Sequence, residues 1–593
     1  MNRANFLAPG LSAVLCLWAA GAVAADLPPI PAPNHAPPPR PPFSWTGGYI
    51  GGHMGGAFDG SNFSNPFGPT LFGDNVRSPG GIGGLQIGYN KQYGATVLGV
   101  EADMSWAQLD GTFTCLQPVR SLPIAGLAPG FIGGAFGATC QVRPDWFGTL
   151  TGRVGTTFGA DGRALVYAKG GVAWIHDNVD IATNNIEAGV AGPPNATSSA
   201  SFTRWGWTVG AGVEYALTGS WSARLEYDFL GFGRHDVATP DAAPILNPTF
   251  PGIDGSSAPD GRTASVSQGV HVVKLGVNYR FGDNPTPWPS EWPAVVLGAP
   301  ARGPDAFEVE IGARYVHGWG RFQQDRTVVG APPPSDISRL TWDVLGTDGA
   351  ETFWRVDGPY RLMTKGFWGG GSGHSGHIND EDWGLDIRDV NNTVVAVKPY
   401  QNTLGPAESN IRYLTTDVGY NLLMGPGYSL SPFVGYSHFS QGMSDFGAAH
   451  IEFVPPQPGT PGVGLQQFTT WNALRLGAAA DLMLTPRLKL SADAAWLPDV
   501  RFEGLDVHVG ATNGGPQSGS GRGVQLEAIL SYYLTDQFSV GVGGRYWAML
   551  VPDGRINLLN GLTSGQRLAA EQAAVFLQAS YKFGVPCCAG LFR

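Results

Sequence analysis

Long apolar runs, cysteine and charge are all scarce in this sequence. After the first two dozen residues no window holds the roughly 18 uncharged apolar residues that a spanning helix needs, which excludes a helical membrane protein. Only five of the 593 residues are cysteine, and one of them, Cys16, lies in the leader, where the preceding Leu15 argues against lipid modification. Charged residues make up 14% of the chain, and the 36 Lys and Arg are outnumbered by 47 Asp and Glu, a net charge of -11. That balance gives no reason to expect nucleic acid as a partner.

What the chain does hold is glycine (87), proline (47) and aromatic residues (18 Trp, 18 Tyr, 30 Phe). The first 24 residues carry Arg3, an apolar run from about Phe6 to Trp18, and Ala22-Val23-Ala24, the pattern of a secretory signal with a small-residue cleavage site. Export permits a disulfide, and Cys115 and Cys140 share one expected loop, where a bridge would contribute ~3 kcal/mol. Cys587 and Cys588 are adjacent, a poor geometry for pairing with each other, and receive no role.

The deciding pattern has period two. In Val273-Lys274-Leu275-Gly276-Val277-Asn278-Tyr279-Arg280-Phe281, and again in Val575 to Phe583, apolar residues alternate with small or polar ones, and both runs end aromatic–basic–Phe. Trp221, Ala223, Leu225, Tyr227 and Phe229 form an apolar row whose opposite row is Ser222, Arg224, Glu226 and Asp228. A secreted sandwich also alternates, but charges on the inner row suit a wet or salt-bridged lumen better than a sandwich core. The expected fold is therefore all-β, with two tandem transmembrane β-barrels of about eight and then about ten strands.

The boundaries follow from composition. Residues 1–24 are the signal peptide and 25–44 a Pro-rich linker; residues 45–282 form the eight-stranded barrel. Residues 283–304, with "NPTPWPSEWP", form a second Pro-rich spacer. Residues 305–583 form the ten-stranded barrel, and 584–593 are a C-terminal tail. The opening "ADLPP…FSWTGGYIGGHMGGAF" and the closing "GVNYRFG" resemble the small outer-membrane surface-antigen and porin-like barrels of alpha-proteobacteria. That resemblance implies location and architecture and no chemistry. A barrel this narrow is filled by its own side chains, with Glu101, Asp103, Arg224, Glu226, Asp228, Lys274 and Arg280 expected as the plug.

In the second unit, tight turns after "LMGPGY", "LTPR" and "LTDQ" alternate with long connections, the periplasmic and external ends of such barrels. Two of the long connections carry chemistry-bearing residues. One, expected at 378–408, holds Asp380-Glu381-Asp382-Trp383, preceded by His374 and His377; the other, near 505–519, holds Asp506-Val507-His508. An Asp beside a His can orient the imidazole as a base for water. Two crowded carboxylates cannot both ionise cheaply, so one keeps a proton. Competing readings are a solvated acidic loop and a cation site of His374, His377 and Asp380, which a Gly-rich loop seldom preorganises. No metal is expected.

Ser338-Arg339-Leu340-Thr341-Trp342-Asp343, "DEDW" and "DVH", in this order over residues 305 to 583, resemble the omptin family of outer-membrane endopeptidases. The resemblance implies peptide cleavage, with Asp380 and Asp382 as the carboxylate pair and Asp506 and His508 as the water-activating dyad. It also implies lipopolysaccharide as a requirement, with no other cofactor, and surface peptides or proteins as substrates. The family's acidic pocket for basic residues maps only loosely, onto Glu503 and Asp325. Alternation counted from Leu488 would put Asp506 and His508 on the lipid side, so a bulge near Pro498 or Gly504 is required. The alternative function is a porin or structural surface-antigen barrel without catalysis.

Overall fold

Period-two segments can satisfy their backbone only against neighbours, and in hydrocarbon no edge can be left unpaired. In the computed structural model the strands pair until both sheets close. The structure describes residues 43–586 apart from 67–74, 116–137, 160–161, 185–196, 241–261, 282–305, 328–335, 389–393, 426, 446–448, 453–463 and 510–513. The expected signal peptide, the first Pro-rich linker apart from residues 43–44, the whole of the second, and Cys587 and Cys588 lie outside the described residues.

The first barrel comprises β1 (Gly47–Phe63), β2 (Asn75–Tyr93), β3 (Thr96–Ala107), the short β4 (Gly111–Cys115), β5 (Ala138–Phe158), β6 (Ala164–Thr183), β7 (Thr197–Ala216), β8 (Trp221–Ala238) and β9 (Thr263–Phe281). Eight of these form the wall, closed by the β1–β9 pairing, while β4 extends the sheet above β3 and pairs with β5. The inner row is charged and matched. Lys169 Nζ lies 3.0 Å from Glu226 and 3.2 Å from Glu101, and Lys274 Nζ 3.0 Å from Asp103 and 2.8 Å from Asp228. Arg224 reaches Glu101 at 2.5 Å. Arg153, which the alternation of the final strands alone does not reveal, holds Glu214 at 2.7 Å. This is a packed, ion-paired plug.

The second barrel comprises β10 (Ala306–Thr327), β11 (Asp336–Asp357), β12 (Leu362–Arg388), β13 (Val394–Tyr420), the short β14 (Leu423–Gly425), β15 (Tyr428–Asp445), the short β16 (Ala449–Glu452), β17 (Leu465–Thr485), β18 (Leu488–His508), β19 (Gly515–Tyr533), β20 (Phe538–Asn557) and β21 (Thr563–Pro586). Ten strands close the wall through β10–β21 and β13–β15. Its lower lumen is filled by Arg314 on Glu351 (2.5 Å), Arg545 on Glu351 (2.7 Å) and Arg475 on Asp417 (2.9 Å), around a cavity of about 100 Å³. Above lies an apolar floor that includes Phe322, Trp342, Phe439, Trp471, Phe502 and Trp547.

Two expectations need correction: the loop expected near 505–519 is strand as far as His508 and again from Gly515, with Asp506 in a ladder between Gln467 and Gly515. The segment 378–408 is not a loop: β12 runs on to Arg388 and β13 begins at Val394, so Asp380 sits in a ladder between Leu340 and Thr403. About 9–11 residues span the bilayer, whereas these strands reach 27. Their upper halves stand above it, where a ladder satisfies backbone groups that an open loop would leave to water.

The outer faces of the two barrels meet. Tyr215, Leu217 and Leu275 pack with Leu482, Leu484, Leu490, Ala494, Val524 and Leu526 in one buried cluster. Gly56 allows the approach, since a Cβ there would stand 2.9 Å from Leu526 Cδ1. In lipid such contact rests on close packing of small residues.

Candidate functional site

Two bulges build the site. On β12 the inward residues are odd-numbered low in the barrel, as in Lys365 and Phe367, and even-numbered higher up, as in Ile378 and Asp380. The switch falls where the pairing with β13 jumps between Gly373 and Gly376, and Gly346 of β11 pairs with Ser375. A one-residue slip moves every later side chain to the other face. It turns Asp380 and Asp382 inward and Glu381 outward. His374 stands at this bulge, exposed, with Nδ1 2.8 Å from Glu408. Among the described residues no cluster of His, Cys, Asp or Glu is arranged to hold a metal.

On β18 the same thing happens at Pro498-Asp499. The pairing jumps between Leu497 and Val500, with one extra residue on β18 relative to β17 and β19. Below it, Asp493 faces the lumen; above it, Phe502 joins the apolar floor while Leu505 is exposed on the outer face. Asp506 and His508 therefore point inward, as the required bulge implied.

The resulting group is buried and lopsided in charge. His508 Nε2 lies 3.2 Å from Asp506 Oδ1, and Gln324 of β10 donates Nε2 to Asp506 Oδ2 at 3.1 Å. Gln324 in turn accepts from Gln517 at 2.5 Å, whose carbonyl accepts from Gln467 at 2.8 Å. Burial and the neighbouring Asp382 carboxylate push Asp380 well above the usual carboxylate range. Burial also raises Asp382, opposed by the Arg326 charge and by a hydrogen bond with Ser338. Burial disfavours the His508 cation, yet the Asp506 hydrogen bond and the charges of Asp506, Asp380 and Asp382 outweigh it, and its pKa lies above the ordinary 6.5. Asp380, Asp382 and His508 thus share one electrostatic environment across the barrel mouth.

Gln324, Ser338 and Arg326 were not foreseen. Simple alternation upward from Arg314 on β10 puts even numbers inward and would have reached Gln324 and Arg326; Ser338 lies beyond a further irregularity, at Val344 (φ 51°).

Neither loosely mapped specificity acid faces this group. Glu503 is exposed on the outer side of β18, between inward Phe502 and Gly504. Asp325 is odd-numbered on β10 and faces away from the lumen, bound by Arg339 Nε at 2.8 Å and by the Thr112 hydroxyl of the first barrel. The β10 and β18 registers decide both. Cys115 and Cys140 are joined, with Cα atoms 5.8 Å apart on paired β4 and β5.

Two closed barrels with apolar outer faces make the chain a transmembrane β-barrel protein. Residues 32–281 match the family described as outer membrane protein beta-barrel domain. The chain is 30% identical over 282 residues to the 31 kDa outer-membrane immunogenic protein of Brucella melitensis, covering 98% of that protein and 46% of this chain. It is 28% identical over 165 residues to the 22 kDa outer membrane protein of Rhizobium leguminosarum bv. viciae, covering 59% of that protein and 28% of this chain. Through its first barrel it belongs to this outer-membrane β-barrel family, and it resides in the bacterial outer membrane. Among solved structures it is similar to the outer membrane protease OmpT from Escherichia coli, at 13% identity and a TM-score of 0.41, covering 48% of this chain and 99% of that one. A likeness at that score says nothing of chemistry, which rests on the residues above.

Proposed function

We propose that the second barrel is an endopeptidase acting at the cell surface, with water as nucleophile. The observation that carries the reading is the pair of bulges, which turn Asp380/Asp382 and Asp506/His508 toward one another above a buried aromatic floor. His508, oriented by Asp506, takes the proton from water; a protonated carboxyl of the Asp380/Asp382 pair polarises the scissile carbonyl and then donates to the leaving amine. Gln324 holds Asp506 in the orientation that keeps the imidazole aligned. Lipopolysaccharide is the proposed lipid partner, and peptides or unfolded protein segments lying across the mouth are the proposed substrates.

The wall beside Asp506 is lined by the neutral amides Gln324, Gln467 and Gln517. We therefore place a neutral, hydrogen-bonding substrate residue there in preference to a basic one. The ion-paired lumens disfavour the porin alternative. Protein refolded with lipopolysaccharide and screened against a broad peptide library should cleave peptides; the absence of any cleavage would leave a structural barrel.

A further inference from the structure

The first barrel reaches the outer side of the same strands. Thr114 of β4 and Thr139 of β5 are directly opposite one another, beside the Cys115–Cys140 bridge. Thr114 donates its hydroxyl to Glu381 at 2.8 Å and accepts from Arg339 Nη1 at 2.7 Å. Thr139 donates to Asp336 at 2.9 Å. Thr112 donates to Asp325 and accepts from Gln323 at 3.0 Å and from Arg567 at 2.8 Å. Asp325, Arg339 and Glu381 are at most 1% exposed, although each lies on the outer face of its wall.

Three of the residues held in this way, Glu381, Asp325 and Arg339, are one position away from the inner group. Glu381 sits between Asp380 and Asp382, Asp325 between Gln324 and Arg326, and Arg339 beside Ser338. In a ladder, neighbouring side chains point to opposite faces of one backbone, so fixing Glu381 from outside fixes the height and rotation of the acid pair inside. Buried charges of this kind are costly unless fully partnered, and the hairpin hydroxyls supply partners that water cannot reach.

We infer that the disulfide-stapled β4–β5 hairpin of the first barrel is a positioning element for the peptidase site of the second, acting through Thr114 on Glu381 and Thr112 on Asp325. This rests on the peptidase reading, and it gives the first barrel a task besides anchorage. The hairpin acts on the acid pair and leaves substrate contacts alone, so it governs kcat and the titration of His508 more than KM.

The test uses the full chain refolded with lipopolysaccharide, comparing native protein with Thr112→Val/Thr114→Val, Thr114→Ser, and Cys115→Ser/Cys140→Ser. Heat-modifiable gel migration verifies that both barrels are closed. In the double valine variant, amide exchange at residues 378–383 should rise at least ~10-fold. Its kcat should fall at least ~10-fold with KM held within about twofold, and the acid limb of its pH–rate profile should move toward 6.5 as the carboxylates retreat from His508. Thr114→Ser should behave as native, and the disulfide variant should reproduce the exchange effect. Exchange at 378–383 unchanged in both the valine and disulfide variants overturns the inference. So does raised exchange with native kcat and pH profile in an active chain. If the native chain cleaves nothing while exchange still responds, the peptidase reading fails and the clamp on β12 stands; if it cleaves and neither exchange nor kcat responds, the clamp alone fails.

Discussion

The lumen of the first barrel and the mouth of the second are both rich in buried acids, and they are opposites in how those acids are matched. In the first, Glu101, Asp103, Glu214, Glu226 and Asp228 meet Arg153, Lys169, Arg224 and Lys274, while Arg280 donates to the Trp45 carbonyl. In the second, Asp380, Asp382 and Asp506 gather around His508, with Arg326 the cation acting on the pair. Paired charge is architecture. Crowded charge of one sign leaves a proton shared and an imidazole basic, the condition under which perturbed groups do chemistry.

The contrast can be broken from either side. The largest effect should come from the plug: Lys274→Ala takes from Asp103 and Asp228 the nearer of their two shared cations, leaving only Lys169 at 3.4 and 3.6 Å, and breaking a buried pair costs about 3–5 kcal/mol. The midpoint of urea unfolding, read by heat-modifiable migration, should fall accordingly, and a native midpoint would mean that the plug ion pairs are not structural. Next, His508→Ala and Asp380→Ala should each lower kcat at least ~100-fold while leaving that midpoint within the error of the native protein. Loss of fold in these variants would place the mouth acids with the plug.

The pH dependence sharpens the same point. His508 titrates above 6.5 in the folded protein. As a base it must be neutral, so kcat should rise with pH through a midpoint above 6.5 and fall again where the Asp380/Asp382 pair loses its last proton. The linkage sign agrees: a raised histidine pKa stabilises the fold below 6.5, and that stabilisation is lost as pH rises through the folded value. Asp506→Asn should move the acid midpoint downward; a midpoint at or below 6.5 in the native protein would contradict the crowding of carboxylates around His508. The smallest effect is expected from Glu503→Ala, which removes an exposed outer-face group and should change neither kcat nor substrate choice by more than about twofold.

Much of this was written in the chain. Alternation in 221–229, 273–281 and 575–583 fixed which faces meet lipid, because a barrel wall must be apolar outside and can be charged inside. It also fixed the identity of the plug residues on those strands, and the conflict between the β18 alternation and an inward Asp506 announced a bulge. What alternation cannot encode is the place of a slip. The β12 bulge at Gly373–Gly376 leaves no mark in the sequence, since a Gly-rich run gives no period by which to count. Nor could Asp325 and Glu381 be assigned from sequence. A charge on an outer barrel face means solvent when the barrel stands alone, and only the seating of Thr112 and Thr114 against that face, a contact between residues more than 200 positions apart, makes those charges buried and partnered.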